Sequence, residues 1–208
     1  MIAVVDYGRG NLFSLGQALR HVGAEFELTD NPTKVDAASK IVLPGVGAFA
    51  DCMANLHERG LAEPVIAAAR RGTPLLGICV GCQILLEQGE EFGIHRGLGL
   101  IGGAVRKLPE PRDGDPDPIR IPNVGWRTLS VSPASRLFSR LPPETMMYFV
   151  HSYAPEPATA SDVSAHIAVN GRDAAAALER GRIYGVQFHP EKSGPAGLAL
   201  LAAFVREG

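Results

Sequence analysis

Four short runs, 2-IAVV-5, 25-EFEL-28, 41-IVL-43 and 73-TPLLGI-78, alternate with stretches of helical periodicity over the first 88 residues. That alternation leaves few folds open. IAVV is continuous and rich in β-branched residues, which suits a strand buried on both faces. Gly8, Gly10 and Asn11 break it, and Leu12, Leu15, Leu19 and Val22 then recur at helical spacing up to Gly23. A second helix is carried by Phe49, Cys52, Met53 and Leu56, and a third runs from about Leu61 to Arg71 before Gly72. A fourth is expected from Val80 to about Gln88, with Cys82, Leu85, Leu86 and Gly89 on one stripe. Parallel strands need long right-handed crossovers, and helices of this length supply them. The predicted class is therefore α/β, with a mixed, mainly parallel central sheet flanked by helices.

From Gly97 onward the pattern changes to short strand-like runs separated by turns: LIGGAVRKL, IPNVGWRTLSV, MMYFVHSYAP, SAHIAVNG and RIYGVQFHPE. These are expected to pack as antiparallel strands against the parallel sheet. Asn170-Gly171 is a hairpin signal. A last helix places Leu198, Leu201, Ala202 and Val205 on one stripe, with Gly194-Pro195 in its first turn. The segment 109-PEPRDGDPDP-118 reads as an exposed loop. Asp113, Asp115 and Asp117 echo a calcium loop, but its glycine and closing glutamate are misplaced, so no metal is assigned.

The 208 residues are read as one domain, 1–208. A net charge of -2 without a basic cluster argues against nucleic acid as a partner. No apolar run reaches signal-peptide or membrane-spanning length, and an odd count of 3 cysteines argues against a disulfide framework. A cytoplasmic setting follows as the expectation.

Chemistry concentrates in 77-GICVGCQ-83. As C-x-x-C it could be a redox couple or half of a metal site. As G-x-C-x-G between a strand and a helix it is a nucleophile elbow with cysteine in the place of serine. The glycines decide in favour of the elbow: a sharp strand-to-helix turn brings backbones close, and side chains there would clash. Cys79 would then stand above the carboxyl ends of the strands, where open α/β sheets bind ligands, at a helix start that favours thiolate. Cys82 falls with core residues, as does Cys52 on its Phe49/Met53/Leu56 stripe. No second C-x-x-C or H-x(3-5)-H is present to complete a zinc site.

A nucleophilic cysteine needs a base and an orienting group. Of the 6 histidines, His189 in 186-VQFHPEKS-193 stands out. It ends a strand, Pro190 keeps it out of helical conformation, and Glu191, two residues on, shares its side. A carboxylate there would fix the imidazole tautomer and stabilise imidazolium.

Taken together, GICVGCQ and the late HPE resemble a class I, triad-type glutamine amidotransferase, a flavodoxin-like fold, over essentially the whole chain. Four further stretches, DYGRGNLFSL at the start, 44-PGVGAF-49, 149-FVHSY-153 and the lysine in 189-HPEKS-193, narrow the resemblance to the glutaminase subunits of imidazole glycerol phosphate synthase. The resemblance implies that Cys79, His189 and Glu191 are catalytic and that no cofactor is used. It implies an oxyanion site from the N–H of Val80 and one from Gly45-Val46-Gly47, a substrate-amide contact at Gln83, and amino-acid binding at Glu91, Ser152 and Tyr153. Glu91 sits in an acidic EQGEE run and reads equally as a solvated carboxylate. The implied partner is a (β/α)8-barrel cyclase that receives ammonia in a heterodimer, with Trp126, Tyr148 and Lys192 flanking the docking face. A core or lid aromatic is the other reading of Trp126. The same glutaminase chemistry could serve a different acceptor, such as one in surface-sugar synthesis. Where the family commonly shows H-x-G-W-N, this chain has 123-NVGWR-127, so Asn123 and Arg127 depart at the docking face.

Overall fold

A computed structural model describes all residues except 116, 117, 143 and 208. Asp117 of the acidic loop lies outside the described residues.

The first half follows the alternation in the sequence: β1 (Ile2–Val5), α1 (Leu12–His21), β2 (Phe26–Thr29), α2 (Pro32–Asp36), β3 (Lys40–Gly45), α3 (Phe49–Glu58), α4 (Ala62–Arg70), β4 (Leu75–Cys79) and α5 (Val80–Gln83). The second half is strand-rich: β5 (Leu86–Gly89), β6 (His95–Arg96), β7 (Ile101–Lys107), β8 (Asn123–Thr128), β9 (Ser130–Val131), β10 (Met146–His151), β11 (Tyr153–Pro157), β12 (Val163–Val169), β13 (Arg172–Arg180) and β14 (Ile183–Val186), closed by α6 (Gly194–Glu207).

The central sheet has 8 strands in the order β2-β1-β3-β4-β14-β13-β12-β9. From β2 to β14 neighbours are parallel, and from β14 to β9 they are antiparallel. All residues of β1 and β4 are buried, as continuous aliphatic runs require when helices cover both faces. Leu15 and Leu19 of α1 are fully buried, each stabilising the packed helix by about 2 kcal/mol relative to exposure. Asn170 and Gly171 both have positive φ, 49° and 72°, and pair Val169 with Arg172 through a two-residue hairpin turn.

Two expectations need correction, and one helix was not foreseen. The helix after Cys79 ends at Gln83, not near Gln88, and Leu86–Gly89 is a strand. Long-range partners are the reason: the Ile84, Leu85 and Leu86 carbonyls accept from Leu98, Leu100 and Gly99, which a continuing helix would forbid. The late strands β9 and β12 to β14 extend the main sheet edge to edge instead of packing against it. The remaining late strands form a four-stranded sheet, β11-β7-β5-β6, and a two-stranded ribbon, β10-β8. Finally, α2 had no periodicity to announce it. Asn31 starts it, accepting from the N–H groups of Thr33 at 2.9 Å and Lys34 at 3.4 Å, with Pro32 in its first turn.

Among the described residues no helix is long and apolar enough to cross a membrane, and no cluster of His, Cys, Asp or Glu could hold a metal ion.

Candidate active site

The strands β3, β4 and β14 end together, and the segments that leave them build the site. Cys79 closes β4 with φ 56° and ψ -115°, a left-handed conformation costly for any residue but glycine. Its neighbours hold it there. A Cβ on Gly77 would lie 2.5 Å from the Gly81 carbonyl oxygen, and one on Gly81 would lie 1.9 Å from the Leu43 carbonyl oxygen of β3. A Cβ on Gly45 would meet the Gly81 nitrogen at 2.4 Å. Three glycines therefore let the turn and the end of β3 touch backbone to backbone. The helix that follows is a single turn, so the dipole support expected from a longer α5 is small.

The partner of Cys79 comes from the end of β14. His189 is 3% exposed, and its Nδ1 lies 2.8 Å from Glu191 Oε1. That carboxylate oxygen also accepts from Asn11 Nδ2 at 3.3 Å. Burial works against charge on the His189 ring, but a hydrogen bond with the Cys79 side chain, then one with Glu191, and the negative charges of both raise its pKa to about 10. The backbone of His189 is anchored too: its N–H donates to the Tyr148 carbonyl at 2.9 Å and its carbonyl accepts from Ser193 Oγ at 2.6 Å.

Cys79 and His189 open onto a cavity of about 350 Å³ that also brings together Val46, Gly47, Val80, Gln83, Glu91, Ser152 and Tyr153. Glu191 lies behind His189, and Gly45 is buried under the elbow. Trp126, Tyr148 and Lys192 lie outside the cavity wall: Trp126 is 46% exposed and meets the Tyr148 ring edge-on at 6.0 Å, which excludes a core position for it. Glu91 is no free surface carboxylate. Its Oε2 accepts from the Phe49 N–H at 2.9 Å and so starts α3. The PGVG segment is pinned from below, Tyr7 donating to the Pro44 carbonyl at 2.7 Å and Cys52 Sγ to the Val46 carbonyl at 3.6 Å. Burial raises the Cys52 thiol to about 11, which keeps the proton it donates.

Cys82 is not bonded to Cys79. All three cysteines are free. Cys82 is fully buried, with its sulfur 2.6 Å from where a Cβ on Gly185 of β14 would be, and burial pushes its thiol well up from the ordinary range.

Two residues were missed in the sequence. Gln187, two positions before His189 and therefore on its side of an extended segment, is fully buried with Nε2 3.9 Å from Cys79 Sγ. The other is His151, which joins Asn123, Arg127 and Tyr153, named separately from the sequence, into one polar line that reaches the cavity wall. Arg127 Nε donates to Asn123 Oδ1 at 2.9 Å, Asn123 Nδ2 meets His151 Nε2 at 2.9 Å, and His151 Nδ1 meets the Tyr153 carbonyl at 2.9 Å. A carbonyl only accepts, so His151 carries its proton on Nδ1 and accepts at Nε2. Protonating Nε2 would set two donors against each other.

Burial, with the Arg127 and His189 charges, accordingly lowers the His151 pKa to about 4, the hydrogen bond to the Tyr153 carbonyl opposing this. The sign follows. Between pH 6.5 and 4 the unfolded chain binds a proton here that the native one refuses, so stability is complete above about 6.5 and lost as pH falls. His189, raised, acts in the opposite sense and only above its unfolded pKa. From pH 7 to 5 the His151 contribution to stability is expected to fall by ~2 kcal/mol, on the scale of about 1.4 kcal/mol per pH unit, as the difference in urea unfolding between parent and variant reads it. His151→Gln should remove most of that slope; an unchanged slope would refute it.

Comparison with known proteins agrees with this geometry. Residues 3–207 match the sequence model of the family described as Glutamine amidotransferase class-I. Over 209 residues the chain is 46% identical to the imidazole glycerol phosphate synthase subunit HisH of Chloroflexus aurantiacus, covering 99% of this chain and 95% of that protein. It is 47% identical over 209 residues to the subunit of the same name from Methylococcus capsulatus, with the same coverage of 99% and 95%. Among solved structures, PurLQS from Thermotoga maritima superposes with a TM-score of 0.72 at 23% identity, covering 98% of this chain and 96% of that one, which speaks to the fold. With an elbow cysteine, an imidazole and a carboxylate aligned at the strand ends and the family's sequence signature over nearly its full length, the chain belongs to the class I glutamine amidotransferases.

Proposed function

We propose that the chain hydrolyses glutamine to glutamate and ammonia through a thioester on Cys79, and passes the ammonia to a (β/α)8-barrel cyclase subunit in a heterodimer that makes imidazole glycerol phosphate and an aminoimidazole ribonucleotide. The observation that carries the reading is the row of Cys79 and His189 in the cavity wall with Glu191 behind them, in a chain whose relatives bear the name of that synthase's subunit.

In this reading the Cys79 sulfur attacks the side-chain amide carbon of glutamine. His189 gives its proton to the departing ammonia and later takes one from the water that cleaves the thioester. Glu191 holds the ring with Nε2 toward the sulfur. The oxyanion is met by the Val80 N–H and by a second N–H from Val46 or Gly47, and the positive φ of 94° at Gly47 gives that loop freedom to turn. Gln83 spends its Nε2 protons on the Tyr153 carbonyl and Gln187 Oε1, both at 3.0 Å, which leaves its own carbonyl to accept from the substrate amide. Glu91, Ser152 and Tyr153 hold the amino-acid end.

The docking face in this reading is the β8–β10 ribbon. Tyr148 pairs with Trp126 and Val150 with Val124 across it, and Val124, Trp126, Met146 and Val150 are 50%, 46%, 46% and 40% exposed. Such a cluster is larger than a solitary surface apolar residue and fits a partner surface. Lys192, exposed and next to Ser193, whose hydroxyl accepts from the Tyr148 N–H, supplies a charge at its margin.

Co-purification with the candidate cyclase followed by a glutamine-dependent turnover assay tests the assignment. Weak glutaminase activity of the isolated chain and strong stimulation by the cyclase with its ligand are expected. Full activity of the chain alone would count against a loop that must turn, and failure to pair would count against this acceptor.

A further inference from the structure

We propose that Gln187 is a further catalytic residue, whose side-chain amide donates to the Cys79 sulfur in an orientation imposed by Gln83. The inference rests on Cys79 being the nucleophile.

A carboxamide carries two donor hydrogens and one carbonyl acceptor, and its usefulness depends on which end faces the reacting atom. Here the choice is forced. Gln83 Nε2 lies 3.0 Å from the Tyr153 carbonyl and 3.0 Å from Gln187 Oε1. The Tyr153 carbonyl can only accept, so the end of Gln83 that faces it is the nitrogen. The Gln187 atom facing that nitrogen must then be oxygen, which turns Gln187 Nε2 toward Cys79 Sγ at 3.9 Å. The Gln187 backbone is held as well, its N–H donating to the Ala176 carbonyl of β13 at 2.9 Å. Gln187 is fully buried, so this N–H has no water to turn to, and an unmade bond there would be costly.

A neutral thiol or a thioester sulfur accepts hydrogen bonds weakly, and a thiolate accepts them well. The Gln187 N–H therefore favours the anionic sulfur over the other two states. It raises the thiolate fraction before attack. It acts again in the second half-reaction: water oxygen bonds to the thioester carbon, a water proton goes to His189, the C–S bond breaks, and the electron pair returns to sulfur facing this donor. His189 supplies the proton traffic; Gln187 supplies a fixed dipole and exchanges no proton.

The test reads Cys79 directly, by the pH dependence of its alkylation with iodoacetamide and peptide mapping of the label. Gln187→Glu keeps the acceptor for Gln83 but replaces the donor, and Gln187→Met removes both ends. In each folded variant the alkylation midpoint should move up by about one pH unit, lowering the rate about tenfold at pH values below both midpoints. In the wild-type chain the Gln187 side-chain amide signals should follow the same titration by NMR, a readout needing no variant. An unmoved midpoint, or amide signals blind to it, overturns the role of Gln187. Label landing elsewhere than Cys79 overturns the nucleophile reading instead.

Discussion

Replacing Cys79 by Ser is expected to lower glutamine hydrolysis at least ~10³-fold, with or without a partner, while leaving the fold intact. A hydroxyl is nearly isosteric with the thiol, and the side chain is only 5% exposed, so packing changes little. What changes is the nucleophile. The oxygen of serine is intrinsically less nucleophilic than a thiol sulfur and gives up its proton far less readily, and this site's spacing is set for the larger sulfur atom. Cys82→Ala is the matched control. It opens a small void beside Gly185 and costs on the order of 1–2 kcal/mol of stability, yet hydrolysis should stay within about threefold of the parent. Equal loss from both substitutions, or a Cys79–Cys82 disulfide in native protein, would sink the separation of roles. Glutamate release and circular dichroism together decide it.

The second large effect is structural. Gly81→Ala places a methyl group 1.9 Å from the Leu43 carbonyl oxygen, and that atom belongs to β3, flanked by strands on both sides. No flexible side chain is available to yield, so either β3 or the elbow must move. A loss of roughly 3–4 kcal/mol is expected, or failure to accumulate folded protein, which corresponds to about 10 °C in Tm for a chain of this length. Gly72→Ala separates crowding from backbone strain. Gly72 has φ 89° but nothing within 4 Å, so it should cost only about 1 kcal/mol. Similar melting shifts for the two variants would mean that the elbow relaxes easily.

Much of the framework could be read from residue order alone. The buried runs of β1, β3 and β4, the helices α1, α3, α4 and α6 and the Asn170-Gly171 turn all carry local signals, either aliphatic continuity, period 3.6 or turn chemistry. The Cys79 elbow was legible because glycine at two fixed offsets has a steric cause. The extension of α5 was misread because Ile84-Leu85-Leu86 satisfies both helix and strand, and distant carbonyl partners decided between them. The edge-to-edge addition of β9 and of β12 to β14 depends on pairing across the chain, to which periodicity is blind. Gln187 carried one usable clue, its offset of two from His189. Asn123 and Arg127 stood out only as departures from a pattern, and their link to His151 and Tyr153 was hidden, since these residues are close only after β8 pairs with β10.

That polar line bears on how sequences of this kind can be exchanged. Compared with the pattern H-x-G-W-N, Asn123 and Arg127 count as two separate departures. In space they are one contact, Arg127 fixing which way the Asn123 amide faces and so what His151 receives. The two positions act as a single structural unit: a chimera that places histidine at 123 while keeping Arg127 faces the guanidinium with a ring whose remaining nitrogen must now satisfy both neighbours. Substitutions at 123 and 127 are therefore best exchanged together, as one contact.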